Sequence, residues 1–420
     1  MRGIKLKSYK NFTKNSKIIS YDKPKHVYIP LICYNDINFD VKISIGSNVK
    51  IGTVLAINKE YEMPVHSSVS GIVVGFEKKY IYSGKLVETI KIENNFKNEY
   101  ELNEEVEKID KYTKKDFVQL LKDCNIKGMG GADFPTYLKY NGRKRIKNLI
   151  INGMECEPYA TADDAIIREK TVNILEAIDA IMSINKIDNA YIAISKKNTV
   201  SSNALNKVMG SYPKIKLVLL NEKYPLGWSK LLVKSILNKE YDKIPNEIDT
   251  VVNNVSTIYA IYEALKYKRP INKRIITLSG NGFKKNTNVE VLIGQNIEEV
   301  IEDIGYYKSK MLFIAGGPMM GSSIVKTDFV ITSNLSCILG MKDIKNDEVT
   351  TCLRCGKCAS VCPAKLAPIL IKENISDVGE LKKLNADRCI GCGLCSYVCP
   401  AKMPLRESVL IAKKNVRDAK

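Results

Sequence analysis

The feature that most constrains this chain is a cysteine-rich segment that occurs twice near its end. TCLRCGKCASVCPAKLAP begins at Thr351, and DRCIGCGLCSYVCPAKMP begins at Asp387; we call them the first and second cassettes. Each cassette has three cysteines with two residues between neighbours, then a fourth cysteine after three more residues, and then a proline. Eight of the 12 cysteines lie in the cassettes, and in a cytosolic chain such thiols are more often metal ligands than disulfides.

The spacing C-x-x-C-x-x-C-x-x-x-C-P predicts two [4Fe–4S] clusters, because the fourth cysteine of such a run binds the other cluster. The first thiol set is therefore predicted to be Cys352, Cys355, Cys358 and Cys399. The second thiol set is predicted to be Cys389, Cys392, Cys395 and Cys362. Three glycines would let the backbone bend closely around the sulfurs: Gly356, Gly391 and Gly393. Zinc is the alternative, although its sites generally use two C-x-x-C pairs or a mixture of cysteine and histidine.

The charge of the chain limits its partners without identifying one. The 65 Lys and Arg residues exceed the 46 Asp and Glu residues, which gives a net charge of +19. This excess favours acidic redox proteins, anionic lipid headgroups or nucleic acid, or it reflects only a lysine-rich solvated surface. No nucleic acid is expected, because helix-turn-helix, zinc-finger and aromatic RNA-binding motifs are absent. The stretch GRKRIK, residues 142–147, is the candidate contact for an acidic partner, with a solvated loop as the alternative.

The sequence has no uncharged apolar run of about 18 residues, the length that a membrane-spanning helix needs. The nearest run, residues 311–325, is short and is interrupted by GGPMMG. The first residues, MRGIKLKSYKNFTK, are charged and lack the apolar core of a signal peptide. We therefore expect a cytoplasmic protein of roughly two to four domains.

Residues 26–93 are predicted to form short strands, because VYIPL, VKISIG, KIGTVLAI, VSGIVVGF and ETIKIE combine β-branched residues with glycine punctuation. SIGSNVKIGTVLA and PVHSSVSGIVVGF resemble turns of biotinyl and lipoyl carrier domains, but neither has a lysine at the tip of the turn. A structural β-sandwich is therefore predicted. His66 is interpreted as a structural histidine rather than a ligand or an acid–base group.

A glycine-rich loop, GMGGADFPTYLK, precedes a region in which strand-like and helix-like segments alternate. NLIINGMECEP, AYIAIS and IKLVLL are strand-like, and helical spacing occurs at Val172, Leu175, Ile178, Ile181 and Met182. The alternation predicts a parallel α/β layer. A glycine loop at its edge would bring backbone N–H groups against a phosphate or a planar ring, with a tight structural turn as the alternative.

Further along, NNVSTIYAIYEAL predicts a helix that begins at capping Asn, Ser and Thr residues. RIITLSGNGFKKNTNVEVLIGQNIEEVIEDIG predicts strand, turn, strand and helix, and KMLFIAGGPMMGSSI adds a strand and a glycine turn.

In their order along the chain, these motifs resemble the RnfC family, which supplies one component of the Rnf electron-transport complex. That family joins a ferredoxin-like tail to a flavin fold similar to that of the flavin-binding subunit of respiratory NADH dehydrogenase. The resemblance covers nearly the full length and rests on YIPL, PVHSSVSG, GMGGADFPTYLK, INGMECEPYATADD, YPLGWSK, NNVSTIYA, LSGNGF, GGPMMG and both cassettes. The chain departs from the family at RGIKLKSYK, where a glycine-histidine motif is usual, at CYNDINFD, where a QHIGAP-like segment is usual, and at Ser229, where glutamate is usual.

The resemblance implies a set of cofactor-binding residues and no catalytic side chain. FMN would be held by Gly128, Gly130, Gly131, Ala132, Phe134 and Lys139. Three acids would lie beside the isoalloxazine ring and the nicotinamide of NAD(H): Glu155, Glu157 and Asp163. The FMN phosphate would be held by Asn253, Asn254 and Thr257.

The resemblance also implies an α/β multidomain fold with four parts. Residues 1–110 would form an N-terminal β-sandwich of the barrel-sandwich-hybrid type, and residues 111–268 a Rossmann-like FMN- and NADH-binding domain. Residues 269–330 would form a soluble-ligand-binding β-grasp module, which begins near Arg274. Residues 331–420 would form a helical, ferredoxin-like domain with two [4Fe–4S] clusters.

The predicted function is electron transfer, in which FMN links two-electron hydride exchange with NAD(H) to one-electron clusters. The resemblance implies reversible ferredoxin:NAD⁺ oxidoreduction coupled to ion pumping. Its implied partners are other subunits of a membrane complex and a ferredoxin-like carrier, with this chain peripheral on the cytoplasmic face. Two alternatives are an adaptor that feeds a soluble cobalamin or amino-acid reductase, and a non-catalytic iron–sulfur binding protein.

Overall fold

A computed structural model describes residues 3–102, 105–106, 108–307, 311–324, 326–342, 344 and 348–419. Parts of two sequence predictions lie outside these residues: Arg2 of RGIKLKSYK, and Lys310 and Val325 in and beside the predicted glycine-turn segment. Within the described residues, no helix is long and apolar enough to cross a membrane. Four short 3₁₀ helices occur among them: Lys10–Phe12, Met209–Ser211, Pro245–Ile248 and Ala386–Arg388.

The N-terminal region is built from strands, as its sequence predicts. They are β1 (Ile18–Tyr21), β2 (His26–Pro30), β3 (Phe39–Val41), β4 (Asn48–Val49), β5 (Val54–Asn58), β6 (Pro64–His66), β7 (Gly71–Ile81) and β8 (Leu86–Asn94). β2, β4, β7 and β8 belong to one sheet, β3, β5 and β6 to a second, and a shared core contains Ile29, Leu55 and Ile90. His66 is buried, and burial lowers its pKa to about 4, so the ring is neutral at physiological pH.

The central region alternates helices and strands. The elements are α1 (Lys114–Asp123), α2 (Tyr137–Tyr140), β9 (Asn148–Gly153), α3 (Ala162–Glu169), α4 (Thr171–Asn185), β10 (Asn189–Ser195), α5 (Thr199–Val208), β11 (Ile215–Leu220), α6 (Ser229–Leu237), β12 (Thr250–Asn254) and α7 (Val255–Tyr267). The sheet order is β11-β10-β9-β12 and all pairs are parallel, which confirms the predicted α/β layer. The predicted helical stripe faces the core in α4, apart from Val172, which is 53% exposed.

This strand order positions the candidate site. The chain runs outward from β9 through β10 to β11 and then returns to β12 on the other side of β9. In open α/β sheets, ligands bind at the carboxyl ends of the strands where the order reverses in this way. The crevice between the ends of β9 and β12, beside Gly153 and Asn254, is therefore the expected cofactor position.

The next region contains β13 (Lys273–Ser279), β14 (Thr287–Leu292), α8 (Ile297–Ile304), β15 (Met311–Ala315), β16 (Ser322–Ile324), β17 (Phe329–Val330) and β18 (Cys337–Lys342). The described residues form a six-stranded sheet in the order β1-β14-β13-β18-β15-β16. The predicted boundary at residue 330 is therefore wrong as a limit of this sheet, because β18 pairs with β13 and β15.

Two strands also cross the other predicted boundaries. β1 lies in the predicted N-terminal domain but pairs with β14 in the six-stranded sheet. β17 belongs to the later part of the chain but pairs with β7 in the N-terminal sheet. Neither exchange is visible in the local sequence, because pairing depends on where distant strands meet.

The cassettes lie in a helical region. Its helices are α9 (Lys357–Val361), α10 (Pro368–Glu373), α11 (Val378–Lys383), α12 (Leu394–Tyr397) and α13 (Leu405–Asp418). A small core that contains Ile371, Leu381 and Val409 packs α10 and α11 against α13. The hydrophobic core of this region is therefore small. A small core is expected where bound clusters would supply much of the folding free energy.

Candidate cofactor sites

The glycine-rich loop is closed on itself and attached to the start of α7. The Gly128 N–H donates to the carbonyl of Phe134 at 2.9 Å, and the Asp133 N–H donates to the carbonyl of Gly128 at 3.0 Å. The Met129 N–H donates to Oγ1 of Thr257 at 2.9 Å. The loop is therefore held at the carboxyl edge of the parallel sheet, where the strand order reverses.

Asp133 fixes this loop and was not singled out from the sequence. Its carboxylate accepts hydrogen bonds from Nζ of Lys127 at 3.0 Å, Oγ of Ser333 at 2.6 Å and the Tyr34 N–H at 3.3 Å. Lys127 and Asp133 are both buried, so their ion pair is shielded from water. Tyr34 belongs to CYNDINFD, so the segment that departs from the family still contacts the loop.

The tip of the loop leaves room for a ligand. Gly130, Gly131 and Ala132 are exposed, and Gly131 has a φ of +102°, a conformation that favours glycine. A Cβ on Gly131 would meet no atom within 4 Å, so a side chain there would project into the open space that a flat ring would use. A Cβ on Gly130 would lie 3.1 Å from Cβ of Asn254, which places the loop directly against β12.

Lys139 supplies a positive charge beneath the crevice. Its Nζ donates to the carbonyl of Val252 and to Oδ1 of Asn253, both at 2.9 Å. The ammonium is enclosed although part of the side chain is exposed, and burial alone lowers its pKa to about 8. No carboxylate of the described residues forms an ion pair with it. A buried cation compensated only by dipoles suits an anionic ligand such as the FMN phosphate.

The buried carboxylate of Asp163 organises the start of α7. It accepts hydrogen bonds from Nδ2 of Asn254 at 2.7 Å and from Oγ of Ser256 at 2.8 Å. Asn254 is the N-cap of α7, as predicted, and its Oδ1 accepts from the Ser256 N–H at 2.9 Å. Burial raises the pKa of Asp163. Its position beside the helix end is consistent with a role in shaping the crevice.

Glu155 occupies a different position at the end of β9. Its φ is +35°, and its carboxylate accepts from the backbone N–H groups of Asp163 at 2.9 Å and Asp164 at 3.4 Å, at the start of α3. Nζ of Lys10 lies 3.8 Å from its Oε2. Burial raises the pKa of Glu155, and Lys10 opposes that rise. The N-terminal segment therefore contributes a cation to this site, which no local pattern predicted.

Glu157 points toward the glycine turn GGPMMG. Its carboxylate accepts from the backbone N–H groups of Met319 at 3.1 Å and Met320 at 2.9 Å. Burial raises its pKa. Each of the three acids of the family motif is therefore engaged by other groups of the protein. Their contact with flavin or nicotinamide stays a prediction.

Two more residues in this region emerge only from the structure. Nδ2 of Asn152 donates to the carbonyl of Gly227 at 2.8 Å, which joins β9 to YPLGWSK. Arg274 is buried and donates to the carbonyls of Leu335 and Ser333, both at 2.6 Å. Burial lowers the pKa of Arg274 to about 10, while the negative charge of Asp163 opposes the shift. Arg274 therefore places a buried positive charge behind the crevice.

The thiols are grouped in space as the crossing pattern predicts. One cavity is lined by all members of the first thiol set: Cys352, Cys355, Cys358 and Cys399. A separate cavity is lined by all members of the second thiol set: Cys362, Cys389, Cys392 and Cys395. Their binding of iron stays a prediction.

The donors around these sulfurs suit clusters. Backbone N–H groups of Arg354, Gly391 and Leu366 donate to sulfurs of Cys352, Cys389 and Cys362 at 3.3, 3.3 and 3.4 Å. Such bonds stabilise thiolates that carry a metal centre. In the part of the chain that the structure describes, no three His, Cys, Asp or Glu side chains converge as they would on a single metal ion. Each thiol set lines one cavity, and the preference for a multi-iron group over the zinc alternative rests on the cysteine spacing.

The second cassette lies directly against the central α/β region from α1 to α7, which would hold the flavin and which we call the flavin region. The Tyr224 hydroxyl, in YPLGWSK, donates to the carbonyl of Cys392 at 2.7 Å. A Cβ on Gly393 would lie 2.5 Å from the carbonyl oxygen of Met319, in the turn that Glu157 holds. Met319, Tyr224, Cys156 and Cys392 belong to one apolar cluster. The second thiol set therefore adjoins Cys156, which follows β9, and the turn that Glu157 holds. Cys355 of the first set is exposed to solvent.

Three of the basic residues at 142–147 form exposed ion pairs. Lys144 and Lys147 lie 2.9 and 3.4 Å from the carboxylate of Asp249. Arg145 lies 2.6 Å from Asp188. The two carboxylates offset two of the four positive charges of the stretch, and the three paired side chains remain exposed. A contact with an acidic partner therefore stays a prediction, with the solvated loop as its alternative.

Three family models match the chain. Residues 1–97 match the RnfC barrel sandwich hybrid domain, residues 121–263 the Nuo51 FMN-binding domain, and residues 351–403 the 4Fe-4S dicluster domain. The chain therefore combines an N-terminal barrel-sandwich domain, an FMN-binding domain and a C-terminal dicluster domain within a mixed α/β fold.

Curated relatives match most of the chain. The C subunit of the Na⁺-translocating ferredoxin:NAD⁺ oxidoreductase complex of Acetobacterium woodii is 32% identical over 84% of this chain and 81% of that protein. The C subunit of the proton-translocating ferredoxin:NAD⁺ oxidoreductase complex of Clostridium ljungdahlii is 30% identical over 88% of this chain and 82% of that protein. The C subunit of the ion-translocating oxidoreductase complex of Vibrio cholerae is 31% identical over 87% of this chain, which spans only 49% of that longer protein.

Proposed function

Since this chain belongs to the RnfC family of ion-translocating oxidoreductase complexes, we propose that it is the electron-transfer subunit of a membrane-associated ferredoxin:NAD⁺ oxidoreductase. The observation that carries the proposal is the contact between Tyr224 and Cys392, which joins the flavin region to the second thiol set. A flavin site and an adjoining dicluster domain in one chain suit the conversion of hydride transfer into single-electron transfer.

The finer fold assignments belong to this proposal. The β11-β10-β9-β12 order supports a Rossmann-like domain, because it matches the first four strands of the 3-2-1-4-5-6 order. The central β14-β13-β18-β15 part of the six-stranded sheet, with β13 and β18 parallel, supports a β-grasp module. We place the limits of this module near residues 273 and 342, with β1 added at one edge.

Residues of this chain would hold FMN and NAD(H) in the crevice. The loop glycines would let the backbone approach the ring, and Lys139 with the start of α7 would hold the phosphate. When bound, FMN supplies two-electron exchange with NAD(H), and the clusters supply one-electron transfer. Asp163 and Asn254 would keep the helix end rigid, and Glu157 would hold the turn that separates the crevice from the second thiol set.

The first thiol set is the proposed exit toward a partner. Cys355 is exposed, and neighbouring Leu353 is 67% exposed. An exposed apolar side chain beside a redox centre suits docking of another protein, which would exclude water from the contact. The proposed partners are other subunits of the complex and, through them, a ferredoxin-like carrier. The names of the relatives support a peripheral position at the membrane, which we place on the cytoplasmic face.

Anaerobic purification followed by flavin and iron assays and an NADH titration would test this function. Bleaching of flavin absorbance by NADH, with reduction of the clusters, is expected. Bound clusters without flavin would favour the non-catalytic iron–sulfur alternative. Co-sedimentation with membranes of the source cell tests the location, and a chain that never associates with membranes would favour the soluble-reductase adaptor.

A further inference from the structure

Two cassettes of nearly the same sequence lie in opposite environments. Gly391, Cys392, Gly393 and Leu394 of the second cassette are buried. The equivalent residues of the first cassette are exposed: Arg354, Cys355, Gly356 and Lys357. Solvent exposure and nearby charge both set the reduction potential of an iron–sulfur cluster. Two clusters bound by the same cysteine spacing would therefore have different reduction potentials here.

Side-chain donors are found at the second cassette. Nζ of Lys413 donates to the carbonyl of Cys389, and Nε of Arg406 donates to the carbonyl of Gly391 at 2.9 Å. The Tyr224 hydroxyl donates to the carbonyl of Cys392 at 2.7 Å. Three carbonyls around the thiols are therefore held from outside by two cations and a phenol.

The described residues give the first cassette no such arrangement. Among the described residues, no side chain donates a hydrogen bond to the equivalent carbonyls, which belong to Cys352, Arg354 and Cys355. Its nearby cations, Arg354 and Lys357, are exposed, so water and salt weaken their effect on the thiols.

Both cations lie on one face of α13. Arg406 and Lys413 are seven residues apart in α13, about two turns, so they lie on the same face. Between them, Leu410 packs on the loop, because a Cβ on Gly391 would lie 3.4 Å from its Cδ2. Nη2 of Arg406 also donates to the carbonyl of Met320 at 2.7 Å, which fixes the guanidinium between the cassette and the glycine turn.

We propose that Arg406, Lys413 and Tyr224 are positioning residues that raise the reduction potential of a cluster on the second thiol set. The proposal rests on the cluster-binding role given under the proposed function. Reduction adds one negative charge to a buried group that already has four thiolates. Burial opposes that addition, and fixed positive charge with oriented donors favours it, more strongly at low dielectric than in water. A cluster of the first thiol set receives no such support from the part of the chain that the structure describes, and it would respond to solvent instead.

The experiment is an anaerobic redox titration of the full-length chain, followed by electron paramagnetic resonance, with iron measured for each variant. Arg406→Gln and Lys413→Gln should each lower the potential of one cluster. A roughly tenfold fall in its reduced-to-oxidised ratio at fixed solution potential, equal to 59 mV for one electron, is expected. Tyr224→Phe should give a smaller fall, because it removes a donor without removing charge. Arg406→Lys should restore most of the potential.

Lys414→Gln is the matched control, since Lys414 is an exposed cation of the same helix. It should leave both potentials unchanged. Cys355→Ser alters a ligand of the first thiol set and so identifies which signal belongs to which set. Equal shifts of both clusters, shifts in the control, or no shift in any variant would overturn the proposal.

Iron content separates the remaining outcomes. If Arg406→Gln loses iron, Lys413→Gln and Tyr224→Phe still test the potential. Loss of iron from all three variants would make these groups anchors of the fold and would overturn their proposed effect on potential. Absence of iron from the unmodified chain would instead contradict the proposed function itself.

Discussion

The side chain of Glu157 fills the space beside the Cα atom of Gly317. The carboxylate of Glu157 lies where a side chain on residue 317 would project, and it accepts hydrogen bonds from the backbone just after that glycine. The glycine is thus required by a residue 160 positions earlier in the chain. The contact sets the position of a turn that touches both the flavin region and the second cassette.

Gly317→Ala is therefore expected to lower the free energy of unfolding by about 1–3 kcal/mol, the usual cost of overpacking a filled site. Denaturant unfolding measures the change. Gly142→Ala is the control, because a Cβ there meets nothing within 4 Å, and it should change stability by less than about 0.5 kcal/mol. Equal stability of the two variants would show that the turn yields easily and does not depend on Glu157.

Gly131→Val should lose flavin and keep iron, because its side chain would occupy the open space beside the loop. The flavin-to-iron ratio of the anaerobically purified protein is the measurement. Gly46→Val is a matched control, since Gly46 also has a positive φ, +89°, and open space around it, but lies in the N-terminal region. If Gly131→Val retains full flavin, the glycine loop is not the flavin contact.

Lys139 predicts a pH dependence of FMN binding. Its pKa in the folded chain is about 8, below its ordinary value of 10.5, and a bound phosphate would raise it again. As pH rises, Lys139 of the ligand-free protein therefore loses its ammonium proton at a lower pH than Lys139 of the FMN complex. Above that pH, FMN binding requires Lys139 to take up a proton. FMN affinity should be higher near neutral pH, where Lys139 is protonated, and should weaken as pH rises through about 8.

Fluorescence titration of FMN across pH 6.5–9.5 tests this expectation. Lys139→Met should weaken binding at neutral pH and abolish the decline above pH 8. Lys50→Met, at an exposed lysine of the N-terminal region, should leave the profile unchanged. A decline that persists in Lys139→Met would assign the titration to another group.

The thiol grouping predicts about eight iron atoms per chain. Cys355→Ala should remove one cluster signal and perturb the other, because the two sets share their cassettes. Cys124→Ala, at a buried cysteine outside the cassettes, should retain all of the iron. Zinc in place of iron after anaerobic preparation would contradict the cluster assignment.

Features with local causes could be predicted from the sequence. The cysteine spacing, the N-cap at Asn254 and the alternation of strands and helices each depend on neighbouring residues. The contact between Lys10 and Glu155 spans 145 residues, and that between Tyr224 and Cys392 spans 168. Such pairs depend on how separate elements pack, so no periodicity or motif of one segment contains them.

For the same reason, three acids in one short motif could not be assigned separate roles. Glu155, Glu157 and Asp163 bind the start of α3, the glycine turn and the start of α7, respectively. Their partners come from different parts of the chain. The resemblance implied that all three lie beside the isoalloxazine ring and the nicotinamide, which stays a prediction, but it did not indicate which protein group each carboxylate holds.

The exchanged strands β1 and β17 bear on how the protein can be divided. β1 leaves the N-terminal region to pair with β14, and β17 returns to pair with β7. Cutting the chain near residue 97 would separate both pairs. The N-terminal fragment would contain β1 without β14 and β7 without β17. The C-terminal fragment would contain β14 with the edge that β1 covers left unpaired. Unpaired edges recruit other strands, so both fragments should tend to aggregate. The N-terminal domain is therefore a unit of sequence but not a unit that can be excised.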